Sequence, residues 1–284
     1  MNPAASVQVA VILKTAVWPA LAVALVWAIA FAAARMRAGR PLRMPAGLAA
    51  AVGFFAAMVG LRGVPVWPPT DTLDYLAPAV VLAALLGTVA DLASLKRLEW
   101  LFWVLAAGLG TATAWLLLVP TGATGGIRTA VSGVGAFSVL ATGTGWVRRI
   151  PSIAWYAAWA AASAGAGAGL ALGGSALLGQ AFAGLATVAF VSGLFSIRTR
   201  EKPGLSARWT FVVAYGGLLS YSHAFSEVPL GPLATFLAAP LGVLAGLPAR
   251  RSWLSALLAA VAALAIGTAG IVWIRHSIGD AYLG

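Results

Sequence analysis

The chain has 284 residues, of which 61% are hydrophobic and 9% charged, and a mean hydropathy of +0.95; a soluble domain is about 45–50% apolar and about 25% charged, so a soluble catalytic or binding module of any size is excluded. The formal net charge of +11 would suggest a nucleic-acid partner in a soluble protein, but here the cations sit in short segments between apolar runs, where membrane topology places them, and no free-standing basic domain is left to bind nucleic acid. With no cysteine there are no disulfides, thiolate metal sites, cysteine nucleophiles or iron–sulfur clusters, and neither a cofactor nor a metal site is expected.

Crossing a hydrocarbon core about 30 Å thick takes roughly 20 mainly apolar residues. Long apolar runs predict helices at 10–34, 46–61, 76–93, 99–119, 129–147, 153–173, 176–197, 209–225, 230–248 and 253–274. The expected fold is an all-α integral membrane protein of about ten transmembrane helices joined by short loops. It forms a single polytopic domain over residues 1–284 with no soluble domain.

The first run has no basic segment before it, exceeds the 7–15 apolar residues of a signal peptide, and is read as the first helix. Lys14 lies within it, about one turn from the outer end, where its amine can extend to the headgroups or serve a substrate. Arg62 follows the second run. The connection after it, with Trp67, Pro68, Pro69, Asp71 and Asp74, combines stiffening prolines with carboxylates; Asp74 is the expected cap of the third helix. Asp91, near the other end of that helix, is expected to meet Lys96 or Arg97. The glycine-rich segment 121–126 lacks the G-K-[ST] ending of a phosphate cradle and reads as a turn.

Residues 150–197 are too long for one span and suit two, with Gly173, Gly174 and Ser175 as the turn between them. Gly165, Gly169 and Gly173 repeat every four residues, which predicts close helix packing within the bundle. The eighth run ends in Ser220, Tyr221, Ser222, His223, Ser226 and Glu227. His223 and Glu227 are four residues apart on one helical face and suit proton relay, cation binding or acid/base work. Ser220, His223 and Glu227 do not make a hydrolase triad, because neighbours on one helix point outward together. Pro240 interrupts the ninth run.

Charge in the connections sets the expected orientation. Fourteen of the eighteen basic residues fall in alternate loops, at 35–43, 96–97, 148–149, 198–208 and 250–251, and the intervening loops hold only Arg62, Arg128 and Arg275. Lys and Arg in short loops stay cytoplasmic, so both termini are expected on the non-cytoplasmic side of a bacterial inner membrane. Ten short-looped helices resemble the general plan of drug/metabolite-type permeases, whose termini lie inside; the opposite orientation here means that no residue role is carried over.

Ionisable groups near or inside a membrane are functional candidates by default. The expected outer-face polar site comprises Asp71, Asp74, His223, Glu227, Lys14 and Arg62. A small-solute transporter or permease is the leading functional expectation; a membrane enzyme acting on a lipid-linked substrate at the outer face, or a non-catalytic subunit of a membrane complex, are the alternatives. The expected partners are the lipid bilayer and a small solute or lipid substrate, and the sequence leaves catalysis and oligomeric state open.

Overall fold

The computed structural model describes residues 3–36, 46–65, 71–92, 149–199, 202–226, 228–249 and 251–283, together with Val104 and Gly108. All regular secondary structure among them is helical. Helix α1 (Pro3–Ile12) runs through a π-turn at Leu13–Val17 into α2 (Trp18–Met36), and α3 (Ala46–Arg62) follows. A 3-10 turn at Thr72–Tyr75 opens α4 (Leu76–Leu92). Then come α5 (Ser152–Leu172), α6 (Ala176–Thr199), α7 (Leu205–Ser226), α8 (Leu230–Ala238), which continues as a 3-10 segment at Ala239–Gly246, and α9 (Ser252–Leu283).

These helices fall on eight of the ten expected runs; the runs at 99–119 and 129–147 lie outside the described residues. Among the described residues, four segments can cross a membrane by length and composition: Ser6–Ala33, Leu73–Leu92, Ala176–Thr199 and Ser252–His276. Ala46–Arg62 and Leu230–Gly246 are shorter and also apolar. Large side chains such as Leu21, Ile29, Leu82, Val89, Phe190 and Val261 stay exposed on the outside of the bundle, a costly arrangement in water and the expected one in hydrocarbon.

The turn between α5 and α6 falls at the expected glycines. Gly174 takes φ +97°, a conformation only glycine enters without strain, and the Ser175 amide returns to the Leu170 carbonyl at 3.0 Å. The glycine stripe of α5 packs inside the bundle as expected. Gly165 meets Gly267, Gly169 meets Phe236 and Ile271, and Gly173 meets Ile274, so α5 lies close against α9.

Two groups of helices result. In one, α4 and α7 pack on α3, with α1–α2 laid over the edge of α3; in the other, α5 packs on α6 and α9, with α8 and its 3-10 continuation against α9. The groups meet where α3 and α2 face α6 and where α7 faces α5 and α8. Part of this seam is aromatic: Phe211 of α7 packs against Trp155, Tyr156 and Trp159 of α5, and Tyr215 against Trp159 and Phe182. The rest is tightly small: Val188 of α6 packs at Gly53 of α3, and Ala57 of α3 at Gly184 of α6.

Two helices are irregular. In the π-turn the Trp18 amide bonds the Leu13 carbonyl, five residues back, just before Pro19, which has no N–H to close on Thr15. Pro240 likewise cannot donate to the Phe236 carbonyl. The helix tightens there to 3-10, the Ala239 amide bonds Phe236 instead, and the buried Tyr215 hydroxyl adds a second donor at 2.7 Å.

Candidate functional site

One end of the bundle gathers three of the six expected site residues. Arg62 ends α3, and its Nη2 donates to Asp71 Oδ2 at 2.7 Å while Nη1 lies 3.6 Å from Asp74 Oδ1. Asp71 Oδ1 accepts the Leu73 amide at 2.9 Å and so caps the 3-10 turn. The capping expected of Asp74 therefore belongs to Asp71: a 3-10 turn precedes α4, which moves the helical start three residues upstream and leaves Asp74 inside it, facing Arg62. Tyr221, on the last turns of α7, lies beside Asp71 and Asp74. Tyr221 stacks on Phe225 with ring centroids 4.3 Å apart, which fixes its direction. Tyr221 was absent from the expected set; its signal was its place in the polar end of the eighth run, one residue from Ser220 and Ser222.

The remaining expected residues lie elsewhere or outside the description. His223 Nδ1 sits 2.9 Å from the Val228 carbonyl; a carbonyl only accepts, so this nitrogen carries the proton and the ring closes the end of α7. Glu227 lies outside the described residues. Lys14 sits in the π-turn, three turns along from Pro3 rather than one turn from the helix start, because α1 begins well before the apolar run does. Its backbone and Cβ pack at Gly60, level with the last turn of α3. Ser220 and Ser222 are buried and turn their hydroxyls to the Gly216 and Leu219 carbonyls of their own helix.

Chemically, the Arg62 cluster is one guanidinium shared by two carboxylates, with Asp71 further engaged by the Leu73 amide. A general base or metal ligand needs lone pairs that are not already committed. Among the described residues no group of three or more His, Asp or Glu side chains is placed to hold a metal ion. Half-exposed ion pairs such as this are worth about 0–1 kcal/mol, and the arrangement ties the end of α3 to the start of α4, beside the end of α7.

The opposite end carries a tighter junction that the sequence did not reveal. Asp91 of α4 was expected to meet Lys96 or Arg97, which lie outside the described residues. Its two oxygens accept the Leu205 and Ser206 amides at 2.9 and 3.0 Å. A carboxylate from one helix thus caps the N-terminus of another, where free amides and the helix dipole both favour negative charge. The approach is possible because Gly47 of α3 and Gly87 of α4 face the Ser206 backbone, leaving no room for a Cβ at either position. Thr210 adds hydroxyl bonds to the Ser206 and Gly47 carbonyls at 2.7 and 3.3 Å. Nearby, Lys202 Nζ donates to the Ile150 carbonyl at 2.9 Å, the basic loop closing on the start of α5.

Between the two ends lie polar groups without such provision, the Trp27 Nε1 of α2 and two hydroxyls among them. The hydroxyls of Ser163 (α5) and Ser192 (α6) are fully buried and have no hydrogen-bond partner among the described residues. Serine in a helix ordinarily bonds the carbonyl three or four residues back, as Ser196 and Ser220 do here. Ser163 lies one turn beyond Trp159, which packs against Phe211 and Tyr215 of α7, and Ser192 one turn beyond Val188, which packs at Gly53 of α3. Each is thus one helical turn from a contact across the seam between the two helix groups.

No known family model matches the chain, and no curated protein or solved structure matches it.

Proposed function

We propose that the protein is a membrane transporter for a small polar solute, with the seam between the two helix groups as its path. The observation that carries this reading is the pair of fully buried hydroxyls of Ser163 and Ser192, each one turn from a seam contact and without a partner among the described residues. An unsatisfied buried polar group costs about 1–3 kcal/mol, and a path that opens to admit water or a polar solute supplies the missing partner. The broken α8 at Pro240 and the π-turn of α1 support it, because helix discontinuities within a bundle accompany transport sites and relative motion of helix groups. The outer cluster supports it over a lipid-active enzyme, since Arg62 engages the carboxylates that such chemistry would use, Asp71 directly and Asp74 at 3.6 Å.

In this reading the chain spans a bacterial inner membrane ten times. The charge alternation sets the Asp91 end, with Arg149, Arg198, Lys202 and Arg251, in the cytoplasm and both termini outside. The Arg62 cluster is then an outer fastening and the Asp91 junction an inner one. Together they hold α3, α4 and α7, so the first helix group moves as a unit against the second.

Because the chain has no native cysteine, Ser163→Cys and Ser192→Cys each give a single thiol. A small membrane-impermeant thiosulfonate applied to right-side-out and to inverted vesicles is expected to modify both positions from both sides. Modification from neither side in native membranes contradicts the transport reading and favours a packed, non-catalytic subunit.

A further inference from the structure

A groove of about 880 Å³ opens sideways between α2 of the first helix group and α5, α6 and α9 of the second. Its floor is alanine, including Ala157, Ala161 and Ala164 of α5, and Thr187 is its sole hydroxyl-bearing wall residue. That hydroxyl is turned to the Ala183 carbonyl at 3.0 Å, so the surface offered is hydrocarbon. The helices on either side present long exposed side chains, Leu21 at 56% and Phe190 at 60%. The volume lies within the 300–1,000 Å³ typical of small-molecule pockets.

The groove continues toward one end only as a chemically graded strip. On α6, Thr187, Val191, Leu194 and Arg198 recur at helical spacing on one face, with Leu194 and Arg198 exposed. On α9 the same spacing joins Leu264 and Ala260 to the exposed Leu257 and Trp253, beside the exposed Arg251. From Val191 to Arg198 the rise is about 10 Å. The strip therefore begins in an apolar trough and ends in two exposed arginines and an interfacial tryptophan, a sequence that matches an acyl chain leading to a glycerol backbone and then a phosphate.

We propose that this groove holds one chain of an anionic phospholipid whose headgroup phosphate is bound between Arg198 and Arg251. The lipid comes from the leaflet at the Asp91 end. The trough supplies shape for the chain and the two arginines supply the charge preference, so binding is selective for net-negative headgroups rather than for phosphate alone. The site rests on the chain's lying in a membrane and is independent of the transport reading.

The test uses the full chain in nanodiscs, with a bimane fluorophore on Leu21→Cys at the rim of the groove or on Leu82→Cys, an exposed position of α4 that does not line the groove. Chain-brominated phosphatidylglycerol is compared with chain-brominated phosphatidylcholine at equal mole fraction. At position 21 the glycerol lipid is expected to quench with roughly fivefold preference, the pull of about one interfacial arginine on an anionic headgroup, and at position 82 with none. Arg198→Gln is expected to abolish the preference at 21 while leaving quenching at 82 unchanged. Equal quenching by the two lipids at 21 overturns the proposal in favour of ordinary surrounding lipid. Weak quenching by both that grows as protein is diluted in lipid overturns it in favour of a second copy of the chain seated in the groove.

Discussion

The Tyr215 hydroxyl donates to the Phe236 carbonyl at 2.7 Å across the seam between α7 and α8. Four residues after Phe236 stands Pro240, whose missing N–H frees that carbonyl from the usual helical ladder. A side chain from one helix group thus completes a backbone deficiency in the other. Tyr215→Phe removes one of two donors to that carbonyl, the Ala239 amide remaining, and is expected to lower stability by about 0.5–1.5 kcal/mol, the net worth of one hydrogen bond. In a Pro240→Ala background the restored amide can serve Phe236, and the cost of Tyr215→Phe should shrink. A double-mutant cycle on thermal unfolding in detergent measures the coupling; equal costs in both backgrounds contradict the link.

The Asp91 junction gives a graded series. Asp91→Ala leaves the Leu205 and Ser206 amides without their carboxylate and is expected to cost about 1–2 kcal/mol, as loss of a helix cap does. Asp91→Asn keeps one accepting oxygen and should cost less. Denaturation midpoints of the two variants check the order, and the account requires Ala to be the worse.

At the same junction, Gly87→Ala places a methyl group against the Ser206 backbone, whereas a methyl group on Gly60 meets Lys14 at an ordinary 3.5 Å. Overpacking a tight site costs about 1–3 kcal/mol or more. Gly87→Ala should therefore lower the melting temperature clearly and Gly60→Ala hardly at all. Similar shifts in both would mean that α3, α4 and α7 do not close on Ser206.

At the Arg62 end the effects should be small and unequal. Asp71 holds Arg62 at 2.7 Å and caps Leu73, while Asp74 stands 3.6 Å from Arg62. Asp71→Ala is expected to cost about 1 kcal/mol more than Asp74→Ala, chiefly through the lost cap. Added salt should narrow the ion-pair part of each effect. Unfolding of both variants at low and high ionic strength is the measurement.

The sequence was legible where a single apolar run decides the outcome. Runs such as 153–173 and 176–197 match α5 and α6 within two residues, and the glycines at 173 and 174 marked their turn. It was partly legible at the outer end, where Arg62, Asp71 and Asp74 were grouped because few charges exist there at all. Asp71 was not recognised as the cap because a carboxylate before a helix looks the same whether a 3-10 turn intervenes or not. The Asp91 junction was not legible because its partners, Leu205 and Ser206, are more than a hundred residues away, and a helix N-terminus offers no side-chain signal of its own. Pro240 was visible, but Tyr215 as the donor to Phe236 was not, for the same reason.

Removing the seam hydroxyls separates function from stability. Ser163→Ala and Ser192→Ala delete groups without partners among the described residues, so the melting temperature should hold or rise. A fall of more than a few degrees in either variant would show that the hydroxyl is already satisfied and has no vacancy for a solute.

The claim that the two helix groups move against each other is tested most directly by double electron–electron resonance on the cysteine-free chain. One spin-label pair goes on Leu92→Cys and Leu257→Cys at the Asp91 end, and the other on Val64→Cys and Leu172→Cys at the Arg62 end, all exposed positions. Transport along the seam predicts two distance populations at each end, with the longer one at one end favoured under conditions that favour the shorter at the other. A single narrow distance at both ends in lipid would contradict it and leave a rigid, packed membrane subunit.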